Sequence, residues 1–222
     1  MNNYLISLLF AFTCSTVTMA QPILVDGNGQ PWRVNNPEGR IDGTPMLAVD
    51  WGKGYVLLLN GKRADSIMMN FDLEYQRPMY VQNNVVYEFT DSVKECSFTY
   101  TEKGMQKNAL FKSGYPAKDR HKVSTLYQVL AEGPKYVLLQ YGDKKPTQRQ
   151  SSFNGPVMVY YELVSELYIY DAAAQTMQKI KNKKSSVLSA LPGKTEAIEK
   201  ICREYSLELK TAEEIALLIS KL

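Results

Sequence analysis

Tyr55-Val56-Leu57-Leu58-Leu59-Asn60-Gly61-Lys62-Arg63-Ala64-Asp65-Ser66-Ile67-Met68-Met69 carries the decision about the fold. An apolar run of strand length meets Asn-Gly, a pair that tolerates positive φ, and then a second run, which is the sequence signature of a β-hairpin with a two-residue turn. Outward from it the pattern repeats. Pro78 to Val81 and Val85 to Phe89 flank Gln82-Asn83-Asn84, and further strands are expected at Glu95–Tyr100, Ala109–Lys112, Ser124–Leu130, Tyr136–Tyr141, Val157–Val164, Leu167–Tyr170 and Met177–Lys181. These segments are rich in Val, Ile, Leu, Phe and Tyr and are separated by turn residues, so residues 46–182 read as an antiparallel β domain.

After residue 182 the period changes. Ile198, Ile201, Cys202 and Tyr205 recur at helical spacing, as do Ile215, Leu218, Ile219 and Leu222. Thr211-Ala212-Glu213-Glu214 reads as a capping box, and a shorter helix is expected over Ser185–Ala190, stopped by Pro192-Gly193. Helices this short are not stable alone and must bury their apolar stripes, so residues 183–222 are expected to pack on the β domain. The fold class is therefore α+β, mainly β: a twisted antiparallel sheet forming a sandwich or partial barrel with a short helical C-terminal segment. Met177-Gln178-Lys179-Ile180-Lys181 has the lysines expected of an edge strand that resists further pairing.

Residues 1–20 contain no Asp, Glu, Lys or Arg, and Leu5 to Phe12 is too short an apolar run to span a bilayer. With Thr18-Met19-Ala20 before Gln21-Pro22, this reads as a signal peptide cleaved after Ala20. The expectation is an exported protein, periplasmic or at the cell surface, with no transmembrane segment in the mature chain. Cys14 offers the alternative of a lipoprotein anchor. Residues 21–45, dense in Gly, Pro, Asn and Asp, are expected to be a weakly ordered arm.

The 222 residues carry a net charge of +3, with 45% hydrophobic and 22% charged residues, which fits a folded globular protein and makes nucleic acid an improbable partner. One histidine and three cysteines, none closely paired, leave no zinc site, and no cofactor or metal is expected. In an oxidising compartment Cys96 and Cys202 could form a disulfide or remain as buried thiols. Pro192-Gly193-Lys194-Thr195 is not a phosphate loop, because Leu188 stands where the first glycine belongs. Asp26-Gly27-Asn28-Gly29 has too few oxygen ligands for a calcium loop. Ser220-Lys221-Leu222 matches a peroxisomal address but finishes an amphipathic helix behind an export signal.

The chemistry left over is sparse. His121 is the only base of its kind and has no G-x-S-x-G serine to serve. Asp72 and Glu74, two apart on one strand face, are the catalytic candidates for a carboxylate-dependent glycan hydrolase, which needs neither histidine nor metal. Residues 102–150 hold a net +6, and within them Lys112, Tyr115, Lys118, Arg120, His121 and Lys122 form a basic loop able to bind an anionic ligand. Thirteen of the fifteen tyrosines lie between Met46 and Lys181, and rigid amphipathic rings suit a glycan or an envelope protein as partner.

Gly54 to Asp72, Val93 to Phe98, Phe111 to Pro116, Thr125 to Gly133 and Tyr136 to Gln140, with the Lys-rich lead into the terminal helices, together resemble a group of uncharacterised secreted β-rich proteins of Bacteroidota. The resemblance spans about residues 46–222. It implies a small exported β-rich protein with a helical tail and supplies no catalytic residues. The expected function is a non-enzymatic binding or scaffolding module of the envelope, with the glycan hydrolase as the alternative.

Overall fold

The structure is a computed structural model that describes residues 40–150 and 157–222. Among the described residues eleven strands run in chain order as β1 (Arg40–Asp42), β2 (Gly52–Leu58), β3 (Arg63–Asp72), β4 (Arg77–Gln82), β5 (Val85–Glu88), β6 (Val93–Glu102), β7 (Met105–Lys112), β8 (Tyr127–Glu132), β9 (Tyr136–Gln150), β10 (Val157–Asp171) and β11 (Thr176–Ile180). Helices α1 (Lys184–Ala190), α2 (Thr195–Glu204) and α3 (Ala212–Lys221) close the chain. The strands form one sheet, ordered β1-β10-β9-β8-β7-β6-β2-β3-β4-β5, with β11 also paired to β10. Every pairing is antiparallel except β1 with β10.

The founding hairpin forms, but not with a two-residue turn. Leu58 and Lys62 face each other across Leu59-Asn60-Gly61, the Gly61 amide donates to Leu58 O at 3.0 Å, and only Gly61 takes a positive φ, +84°. This is a three-residue turn with a glycine bulge, and Asn60 serves by accepting from the Lys62 amide at 2.9 Å. The two-residue geometry occurs instead at Asn83-Asn84, where φ is 52° and 61° between the paired Gln82 and Val85.

Flat strands stand about 4.8 Å apart, so β3 and β7, separated by β6 and β2, would hold their side chains some 14 Å apart on a flat sheet. Phe71 on β3 and Phe111 on β7 instead stack with centroids 3.9 Å apart. The sheet is therefore strongly curled. A bulge at Ser66, with φ 59°, sits opposite Gly54/Tyr55, and a Cβ on Gly52 or Gly54 would strike β6 backbone oxygens at 1.5 or 2.0 Å. Curling brings the β3–β4 turn onto β9, where Lys144 N donates to Leu73 O at 3.1 Å and Gln76 Nε2 to Gly142 O at 2.7 Å. The sheet stays open. These contacts join its two halves without a ladder.

The helices cover one face of the other half. Leu138, Leu167, Ile169 and Ile180 pack beneath Val187, Leu191, Ile198, Ile215 and Ile219. The capping box holds as read: Thr211 Oγ1 accepts from the Glu214 amide and the Glu214 carboxylate accepts from the Thr211 amide.

Three expectations need correction. The arm does not stay irregular throughout, because residues 40–42 pair with Met158–Tyr160. The strands expected at Val157–Val164 and Leu167–Tyr170 are one, since the β9 partners of Ser165-Glu166 continue without a break. The strand expected to end at Tyr141 runs on to Gln150, because residues 142–150 pair with 157–165 despite their Gly, Pro and charges. The leader, Cys14 and residues 21–39 lie outside the described residues. No helix among the described residues is long and apolar enough to cross a membrane.

Candidate functional site

Alternation along β9 and β10 sends Leu138 and Ile169 toward the helices and Val137, Leu139, Tyr141, Tyr168 and Tyr170 to the opposite face. The loop over residues 113–126 covers that second face. A tight turn, Lys118 to His121, folds on itself through hydrogen bonds of 3.2 and 2.9 Å, with Asp119 at φ 52°, and drives His121 inward. The His121 side chain is 3% exposed, its ring 4.2 Å from that of Tyr141 and edge-on to those of Tyr127 and Tyr168.

Glu166 holds the polar end of this cluster. Its Oε2 lies 3.0 Å from His121 Nε2 and accepts from Tyr168 Oη at 2.7 Å, while its Oε1 lies 3.0 Å from Lys179 Nζ and 3.6 Å from Arg120 Nη2. A carboxylate can only accept, so His121 carries its proton on Nε2. Burial opposes ionisation of Glu166, but the donors from His121, Tyr168 and Lys179 outweigh it and pull the carboxyl down to about 2. Burial, then the hydrogen bond to Glu166, pushes the Tyr168 hydroxyl well above its ordinary range. A carboxylate this acidic, with both oxygens engaged, is a poor proton acceptor. The cluster pins the loop to the sheet and presents no nucleophile.

The basic loop is therefore not an open anion site. Tyr115 is packed edge-on against Tyr127 and Tyr170, His121 is core, and Lys112 reaches Glu132 at 2.7 Å and Glu95 at 3.7 Å. Lys118 is half-buried, and only Arg120 and Lys122 of the set stand exposed. Five of the thirteen tyrosines between Met46 and Lys181, namely Tyr80, Tyr115, Tyr127, Tyr136 and Tyr168, are buried and structural, which removes them from the surface expected to stack on sugar rings. Glu166 was missed because Ser165-Glu166 resembles a break between strands. Its signal was a carboxylate two residues from Tyr168, in phase with it on a strand.

Asp72 is 1% exposed and serves the β3–β4 turn, its Oδ1 accepting from the Glu74 and Tyr75 amides at 2.9 and 3.1 Å. Asp171 does the same for the β10–β11 turn, accepting from Ala173 and Ala174 at 2.9 Å. Both turns place Gln four residues after the Asp, at φ 57° for Gln76 and 50° for Gln175. Burial pushes the Asp72 carboxyl up against those amide bonds and the charge of Arg77, whose Nε is 3.9 Å from Oδ2. Burial, then the charge of Asp72, raises Glu74, which is hydrogen-bonded to Tyr161. The two candidates do meet at one place, but Asp72 is sealed in a turn that recurs where no catalysis was suspected.

Cys96 and Cys202 are both buried and unpaired, in separate clusters, one on the curled half and one beneath the helices, so the disulfide does not form. Among the described residues no group of three or more His, Cys, Asp or Glu is placed to hold a metal ion.

One cleft of about 660 Å³ opens beside this cluster. Gln140, Ser165 and Leu167 form its floor, Lys179 to Asn182 one wall, and Lys210 to Glu213 at the start of α3 the other. Lys179 pairs with Glu166 and Lys210 with Glu208, whereas Lys181 has no ion pair among the described residues.

No family model, curated protein or solved structure matches this chain. Its function rests on its own geometry.

Proposed function

We propose that this is an exported envelope protein that acts by binding, not catalysis, and that its ligand enters the cleft between β10–β11 and α3. The cleft itself carries the reading: its volume lies in the range of ligand sites, and a lining that sets Val164, Leu167 and Ile180 among polar groups, with lysines at the rim, is a composition such sites use. The lysines at the rim favour a ligand with acidic groups. The engagement of Glu166 and the burial of Asp72 also favour binding, because neither carboxylate is free to exchange protons with a substrate.

Amide chemical-shift mapping against panels of glycans, anionic head groups and peptides, at low and moderate salt, tests the reading. Shifts confined to Ser165, Lys181 and Thr211 with no product released are expected. Turnover of any glycan that Asp72→Asn or Glu74→Gln abolishes without unfolding would overturn it in favour of a hydrolase. Export is tested by the mature N-terminus, expected at Gln21; a lipid-modified Cys14 there would make the protein a membrane-anchored lipoprotein.

A further inference from the structure

β10 is fifteen residues long and fully paired on one edge to β9. Its other edge is covered only at the ends, by β1 at Met158–Tyr160 and by β11 at Leu167–Asp171. Gly43 approaches Tyr161, within 4.0 Å of a Cβ built on it. Among the described residues, nothing pairs with Glu162–Glu166 on that side. In an antiparallel ladder alternate residues turn their N–H and C=O away from the partner strand, so every second residue of this stretch offers an unpaired donor and acceptor at the open edge. Five residues give about 17 Å of edge.

Exposed edges are usually guarded by inward charges, prolines or bulges. This one is not. Leu163 and Val164, on opposite faces, are 52% and 54% exposed, and Glu162 is drawn onto β9 by Arg149. The edge is also straight enough to pair, since strands already add to it at both ends. At its β11 end it runs into the cleft, where the chain leaves the sheet after Ile180 and Lys181 N donates to Ser186 Oγ at 3.0 Å. Lys181 and Lys183 there have no ion pair among the described residues, and Lys179 and Lys210 stand beside them.

We infer that the gap in β10 receives an extended peptide segment of a partner protein as an added strand, with β-branched residues opposite Leu163 and Val164 and acidic residues reaching Lys181 and Lys210. This rests on the binding reading above and names the ligand class for the same cleft. Strand addition supplies affinity through main-chain bonds and specificity through alternate side chains.

The test uses an array of octapeptides with four consecutive β-branched residues and Asp or Glu at two positions toward either end, probed with the folded protein. Binding by at least one peptide is expected, weakened tenfold or more by Lys181→Glu and by Leu163→Lys, both of which sit at exposed positions. N-methylating alternate peptide nitrogens should abolish binding in one register and spare it in the other. Equal binding by both N-methylated forms, or no peptide binding below 1 mM, overturns strand addition. Self-association lost in Leu163→Lys, without peptide binding, would make a second copy the occupant and overturns it as well. If glycans or anionic head groups shift the cleft amides while no peptide does, strand addition fails and the binding reading stands; if nothing shifts them, both fail.

Discussion

Two carboxylates divide the molecule, Asp72 buried and Glu166 partly buried. Glu166 meets donors from three directions: the loop (His121), its own strand (Tyr168) and β11 (Lys179). Asp72 meets two amides of its own turn and an Arg77 held at 3.9 Å. The first is pulled well below its ordinary value and the second pushed above. Burial acts on both in the same sense but more strongly on Asp72, and the donors to Glu166 are more numerous and include a charged Lys179, so both differences separate the two carboxyls. Local turn chemistry is enough to place a carboxylate, but charge held stably in the interior takes groups gathered from distant sequence.

The sharpest break of that contrast is Glu166→Gln. The amide keeps the shape but leaves Lys179, Arg120 and His121 facing a neutral group, and a loss of about 2–4 kcal/mol is expected from urea unfolding at neutral pH with an unchanged slope. Acid titration comes next. Because Glu166 is depressed to about 2 from 4.5, its contribution is fully present above pH 4.5 and is lost as pH falls toward 2, roughly 3 kcal/mol in all. Asp72 and Glu74 are raised above 3.8 and 4.5, so their contribution has the opposite sign: present below those values and lost as pH rises through the raised ones. Glu166→Gln should therefore flatten the acid limb, leaving the raised Asp72 and Glu74 on one side and, on the other, Glu102 and Glu214, which are lowered by hydrogen bonds from Lys107 and from the Lys210 amide. A limb unchanged by the substitution would remove Glu166 from this role.

At Asp72 smaller effects are expected. Asp72→Ala strands two amide donors beneath a buried turn and should cost about 1–2 kcal/mol, while Asp72→Asn keeps an acceptor and should stay within about 1 kcal/mol of the native protein. Asp171→Ala, in a turn open to water, should cost less than Asp72→Ala. Equal costs at the two turns would mean that burial does not distinguish them.

The contrast also marks what sequence can reveal. Local rules placed both hairpins to within a residue, one turn at Leu59-Asn60-Gly61 where Asn60-Gly61 was expected and the other at Asn83-Asn84 within the expected Gln82-Asn83-Asn84, and they also placed the capping box at Thr211 and the edge strand around Lys179, because each depends on residues within a few positions of one another. They failed at Gly142–Pro146 and Ser165-Glu166, where two polar stretches that look like breaks hold each other extended by pairing across the hairpin. The Glu166 cluster was hidden for the same reason. Its donors lie 45 residues before it, two residues after it and on the next strand, and the β10–β11 pairing and the covering loop bring them together. The basic loop misled because its cations were counted along the chain, whereas the carboxylates that meet them, Glu95, Glu132 and Glu166, come from three different strands.

The finest test lies within the tyrosine face. Tyr168 and Tyr127 are both buried, with rings 5.6 Å apart. Tyr168 Oη donates to Glu166, while Tyr127 Oη is buried with no hydrogen-bond partner among the described residues. Replacing either by Phe removes one oxygen and leaves the ring, so packing is held constant and only the hydroxyl is tested. Tyr168→Phe should cost about 1–2 kcal/mol, since it takes a donor from a charged acceptor. Tyr127→Phe removes a hydroxyl that was desolvated without return, and should be neutral or stabilising by less than about 1 kcal/mol. If Tyr127→Phe proved as costly as Tyr168→Phe, its hydroxyl would have a partner such as an ordered water, and the polar network around Glu166 would extend one residue deeper into the sheet.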